Sequence, residues 1–165
     1  MLVVYDDRLT EHLAGVEHPE RPDRVRVVAR ELERRGMLDE RIDTVVAQPN
    51  ELARVHSRRY IDRVERECRR LDSGGAAELS TGDTHIDAGS YEAAARAAGG
   101  ALAAVDRVCA ARRSAFALVR PPGHHAEPAR GMGFCLFNNA ALAARTFTLN
   151  TGGKALIADF DYHHG

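Results

Sequence analysis

The chain has 165 residues, 44% of them hydrophobic, enough to bury a sizeable core in a single domain over 1–165. Its 23 Lys and Arg against 24 Asp and Glu leave a net charge of −1, which gives no electrostatic reason to expect a nucleic-acid or membrane partner. Cys68, Cys109 and Cys135 are odd in number and share no metal-finger spacing, which argues against a disulfide framework, and no apolar run reaches the roughly 18 residues of a membrane span.

Leu2-Val3-Val4-Tyr5 is a compact apolar run that fits a buried strand. The opening stretch MLVVYDDRLTEH lacks the basic-then-apolar layout of a signal peptide, so the expected location is cytoplasmic. His18-Pro19-Glu20-Arg21-Pro22 leads into a helix in which Val25, Val28 and Leu32 recur at helical spacing, with Pro22 in its first turn and Gly36 as its stop. A second strand is expected over Ile42 to Ala47, ended by Pro49, followed by short helices from Glu51 to His56 and from Ser57 to Leu71, the latter capped by Ser57. A polar loop runs from Ser73 through Thr81-Gly82-Asp83-Thr84. Ser90 to about Arg113 reads as an alanine-rich helix capped by Ser90, and its Gly99-Gly100 pair predicts close packing against a sheet. Ala115 to Val119 is the next strand, stopped by Arg120-Pro121-Pro122-Gly123-His124-His125; a helix from Asn138 to about Leu149 and a strand over Ala155 to Ala158 follow. Alternating strands and helices predict an α/β fold, three layers with a mostly parallel sheet.

The terminal strand runs into Asp159-Phe160-Asp161-Tyr162-His163-His164-Gly165. On extended backbone Asp159, Asp161 and His163 share one side. Strands of a parallel sheet end on one edge, where open α/β sheets hold their ligands, so His124-His125 and this motif are expected to meet there. One carboxylate and one imidazole, Asp161 and His163, suit zinc first and ferrous iron second, better than magnesium or copper(I). A catalytic zinc keeps three protein ligands and an open position, and only two are visible. His124 and His125 are the acid and base candidates, with Asp159 orienting one of them.

The blocks Arg120 to His125 and Asp159 to Gly165, with His18 to Pro22, Val55-His56-Ser57 to Tyr60, Thr81 to Thr84, Gly89-Ser90-Tyr91, Ala98 to Gly100, Gly133-Phe134-Cys135 and Asn138, resemble the N-terminal half of the zinc-dependent histone deacetylase and acetylpolyamine amidohydrolase family. The resemblance implies the arginase-deacetylase fold and hydrolysis of the amide of acetyl-lysine or an acetylated amine. It implies Asp161 and His163 as zinc ligands, His125 as base for the attacking water, and His124 paired to Asp159. A structural potassium near Asp159, Asp161 and His163 is implied as well. Gly133 and Phe134 take the place of the channel wall, Asp83 that of the rim carboxylate, and Arg21 that of an arginine near the cavity where acetate leaves. The family's third metal ligand, a second aspartate, and its carbonyl-polarising tyrosine or histidine lie beyond this motif, and the residue expected to partner His125 would be number 166. The chain therefore reads as about half of the family's domain. Alone it is expected to be inactive, to pair with the missing half or self-associate, or to act as a noncatalytic metal-binding or partner-binding remnant.

Overall fold

The structure is a computed structural model that describes residues 1–165. In chain order its elements are β1 (Leu2–Val4), a 3-10 turn (Asp7–Thr10), α1 (Asp23–Arg34), α2 (Pro49–Leu52), α3 (Arg58–Cys68), β2 (Ala76–Glu78), β3 (His85–Asp87), α4 (Ser90–Ala111), β4 (Ala115–Ala117) and α5 (Asn139–Thr151).

β1 and β4 are apolar on both faces, as strands covered from two sides must be, and they pair in parallel with Leu2 opposite Ala115 and Val4 opposite Ala117. Their side chains alternate. Val3, Tyr5 and Leu118 pack with Val25 and Ala29 of α1 on one face, while Val4 and Val119 meet α4 at Gly100 on the other. The expected three-layer α/β arrangement with parallel pairing is what the chain adopts. No helix is long and apolar enough to cross a membrane.

The strand expected over 42–47 shrinks to one parallel bridge at Ile42, whose amide donates to Val3 O at 2.9 Å and whose carbonyl accepts from Tyr5 N at 3.0 Å. Beyond it the chain leaves the sheet for the helix behind, since Ala47 N donates to Ala95 O at 2.9 Å. The paired glycines make this possible: a Cβ on Gly99 would sit 1.9 Å from Val45 O, and one on Gly100 would sit 2.9 Å from Val119 Cγ1. Here the expected close packing is observed.

The main core lies on the α4 side, where Leu52, Tyr60, Ile61, Val64, Leu136 and Phe137 are buried against Ala94, Ala95 and Ala98. Each fully buried large side chain there contributes about 1.5–3 kcal/mol. Ser57 caps α3 as expected, accepting from Tyr60 N at 3.3 Å. Pro49 opens α2 instead of only ending a strand. The cap of α4 is Gly89 and not Ser90. The buried Ser90 hydroxyl instead donates to Asp87 Oδ1 at 2.9 Å, accepts from Asp87 N at 2.8 Å and lies 2.8 Å from His12 Nδ1. Nothing in the polar stretch from 73 to 84 signalled the β2–β3 hairpin, an antiparallel pair only three residues long whose loop carries Asp83.

The expected strand over Ala155 to Ala158 does not form. The segment makes no backbone hydrogen bond, and Leu156 and Ile157 are 93% and 51% exposed. A strand needs a neighbour to satisfy its amides, and between this segment and β4 lies an open trough.

Candidate active site

β4 ends at Ala117, and three residues on the Arg120–Pro121 peptide is cis. Arg120 turns into the protein, 1% exposed, where its Nε donates to Glu20 Oε1 at 2.8 Å and its guanidinium also reaches the carbonyls of Leu9, His12 and Glu20. The pair fixes the loop of residues 18–22 against the end of β4 and starts the following turn in a defined place.

That turn carries His124 and His125 and is held by Asn138. The Asn138 side-chain amide donates to His124 O at 3.3 Å and Ala126 O at 3.2 Å, while its oxygen accepts from Ala141 N at 3.0 Å and so caps α5. Behind it lies His56, with Nδ1 donating to Glu127 O at 3.0 Å and Nε2 accepting from Asn138 N at 2.9 Å. Those two bonds require a neutral ring, and burial lowers the His56 pKa to about 4.

His124 and His125 stack with ring centroids 4.1 Å apart. His124 Nδ1 lies 2.9 Å from Asp159 Oδ2 and donates to it, which fixes the tautomer and the ring. His125 faces His163 with centroids 6.0 Å apart. Its pKa is lowered by burial and by the neighbouring His124 and His163. Asp159, Asp161 and His163 come together by a different route from the expected one. The backbone bends, with Asp161 N donating to Asp159 Oδ1 at 3.0 Å and His163 N donating to Asp161 Oδ1 at 2.9 Å. These turns replace strand alternation. Backbone donation, followed by the His124 and His163 rings respectively, lowers the pKa of Asp159 and of Asp161.

The cleft over these residues has a volume of about 580 Å³. His124, His125, Asp161 and His163 form one side, and Asp83, Gly133 and Phe134 another. Asp83 Oδ1 accepts from Gly133 N at 2.8 Å, joining the hairpin loop to the wall. Gly133 and Phe134 both have positive φ, +55° and +68°, and a Cβ on Gly133 would fall 2.2 Å from His125 Cδ2. The left-handed backbone and the close approach of His125 both demand glycine there. Phe134 is backed edge-on by His18, centroids 4.6 Å apart.

Arg21 is not in this cleft; it borders a separate depression with Gly15 to Pro19. The arginine lining the cleft is Arg24. Helical geometry accounts for the exchange, since Arg21 precedes α1 while Arg24 sits in its first turn. Arg24 lies just outside the His18 to Pro22 block, so the resemblance pointed to Arg21 alone. Tyr162 also lines the cleft, although alternation had placed it on the opposite side.

For a metal the donors are incomplete. Asp161 Oδ1 and His163 Nδ1 lie 3.1 Å apart, a mixed oxygen–nitrogen pair of the kind zinc accepts. No cluster of three or more His, Cys, Asp or Glu stands ready to hold an ion, so these residues alone do not make a three-ligand site.

Comparison with known proteins agrees with this geometry. The histone deacetylase domain matches residues 18–165. Histone deacetylase 15 of Arabidopsis thaliana is 40% identical over 171 residues, covering 99% of this chain but 30% of its own length. A probable deacetylase of Archaeoglobus fulgidus is 33% identical over 168 residues, covering 99% of this chain and 45% of its own length. The crystal structure of the HDA15 HD domain superposes with a TM-score of 0.82 at 34% identity, over 91% of this chain and 43% of that one. The chain thus spans less than half the length of these relatives, and it belongs to the histone deacetylase family.

Proposed function

We propose that these residues form the histidine-bearing half of a zinc-dependent deacetylase active site, which hydrolyses the amide of acetyl-lysine or an acetylated amine once a third ligand and a carbonyl-polarising group are supplied from outside them. The observation that carries this reading is the convergence of His124, His125, Asp161 and His163 on one cleft walled by Gly133 and Phe134. Bound by Asp161 and His163, zinc would lower the pKa of a water towards neutrality. His125, neutral because its pKa is lowered, is the base that takes a proton at a ring nitrogen. His124, tied to Asp159, is held beside it to stabilise charge as that proton moves. Phe134 and Gly133 shape a slot for the extended acyl-lysine chain, and Arg24 offers a cation for the carboxylate product.

The test mixes this chain with the remaining portion of a relative's domain and measures acetate release from an acetyl-lysine peptide. The chain alone should bind zinc weakly in calorimetry and give no turnover, while the mixture should turn over with zinc and lose at least about a hundredfold in rate on His125→Ala. Zinc-dependent release by the chain alone would overturn the incompleteness. A formed, zinc-loaded mixture without turnover would overturn the deacetylase reading. The shortage of ligands favours a second reading, a noncatalytic partner-binding module, which that latter outcome would leave standing.

A further inference from the structure

α3 buries Tyr60, Ile61, Val64 and Cys68 and turns its arginines outward. At 3.6 residues per turn, Arg59, Arg63, Arg66 and Arg70 fall within about 60° of one another on the outer face. Arg70 lies just past the last turn, where its amide still donates to Glu67 O at 3.2 Å and keeps it in line. The four cations form a stripe about 16 Å long. Elsewhere in this chain arginines pair with carboxylates one turn away: Arg26 with Asp23, Arg34 and Arg35 with Glu31, Arg96 with Glu92. On α3 only Arg69 has such a partner, Glu65 at 2.6 Å. Asp62 stands three residues after Arg59 and four before Arg66 yet reaches neither. Glu67 is drawn to Ser80, whose N and Oγ donate to its carboxylate at 2.9 and 2.5 Å.

We propose that this stripe is a docking surface for an acidic stretch of another protein, held alongside α3 by charge-assisted bonds to the four guanidinium groups. A guanidinium fork meets a carboxylate with two bonds at a time, and these four break no existing pair when an anion arrives. Nucleic acid is a poorer occupant. Asp62 and Glu65 flank the stripe, the whole chain has a net charge of −1, and the aromatic ring of α3, Tyr60, is 2% exposed and cannot stack on a base. Every residue of α3 outside its buried face is charged, which leaves nothing apolar to enter a bilayer. A second copy lacks the counterpart, because no helix of this chain carries more than three carboxylates. The place of the stripe gives docking a use: Glu67 fastens α3 to the loop whose Asp83 lines the cleft, so a protein held there is held beside the rim. The proposal goes beyond the catalytic reading and is independent of the metal chemistry.

The probe is a fluorescein-labelled oligoglutamate peptide, titrated with the full 165-residue chain and followed by fluorescence anisotropy. Binding should weaken as ionic strength rises from about 0.01 M to about 0.15 M, since the screening length falls from about 30 Å to about 8 Å. Replacing Arg59, Arg63, Arg66 and Arg70 together by Gln should weaken it at least about tenfold at low salt. The same loss of charge scattered elsewhere, Arg30→Gln with Arg107→Gln, Arg113→Gln and Arg145→Gln, should change affinity by less than about twofold. Circular dichroism checks that both variants fold; the milder pair Arg59→Gln with Arg66→Gln, both fully outward, should lose about threefold and serves if the fourfold variant does not. No binding of oligoglutamate at low salt, equal weakening in the scattered variant, tighter stripe-dependent binding of oligothymidylate, or stripe-dependent self-association that excludes the peptide would each overturn the proposal. Stripe-dependent binding by a chain whose reconstituted mixture releases no acetate supports docking and counts against the catalytic reading alone.

Discussion

His56 is 2% exposed and is bonded through both ring nitrogens in a way only the neutral ring allows. Its folded pKa, about 4, lies below the unfolded value near 6.5, so the unfolded chain binds more protons between those values. The stability it contributes is complete above about pH 6.5 and is lost as pH falls towards 4, to a total of roughly 3 kcal/mol. His12, whose pKa is lowered by burial and by Arg120, acts in the same direction. Urea midpoints should therefore drop between pH 7 and pH 4.5, and His56→Gln, which can keep both hydrogen bonds without titrating, should flatten that drop; an unchanged slope would refute the assignment. Gly133 permits a second test. Gly133→Ala places a methyl against His125 on a left-handed backbone and should cost about 1–2 kcal/mol. It should also shift the His125 ring resonances, which a cost confined to the wall would leave in place. At this scale His124, His125, Asp161 and His163 were legible because their residue types are rare together. Arg24 was not, since it lies outside the His18 to Pro22 block and only its place in the first turn of α1 brings it to the cleft.

At the scale of elements, the buried pair of Arg120 with Glu20 joins the end of β4 to the loop before α1. Arg120→Leu strands a carboxylate whose Oε2 already accepts no hydrogen bond, and should lower stability by about 3–5 kcal/mol in thermal unfolding. Replacing both partners with apolar residues should recover part of the loss, whereas a merely superficial bridge would show neither effect. Helices α1, α3, α4 and α5 were readable from periodicity, caps and the Gly99-Gly100 pair. The stretches at 42–47 and 155–158 carry equally good strand composition. Composition reports a preference for extended backbone and says nothing of whether a neighbouring strand is present to complete the ladder. The β2–β3 hairpin failed the other way, its three-residue strands being too short to display alternation.

For the whole molecule, the trough, Phe116 and Leu156 put apolar surface in contact with water. Alone, the chain should bind a hydrophobic dye such as ANS and associate as concentration rises; a monomer with no dye binding up to high concentration would show that the surface is covered. The cleft has one more property at this scale. Its ties span long stretches of chain: His124 to Asp159 is 35 residues, Asp83 to Gly133 is 50, His56 to Asn138 is 82, and Glu20 to Arg120 is 100. None of them can form while only a local segment is folded, because loop closure must come before any bond can hold it. On a ribosome, the helices can form as they emerge, but His124 gains its Asp159 partner only after residue 159 has left the tunnel. The cleft is thus assembled after the helices it joins, and it depends on segments spread from residue 20 to residue 163 being in place together.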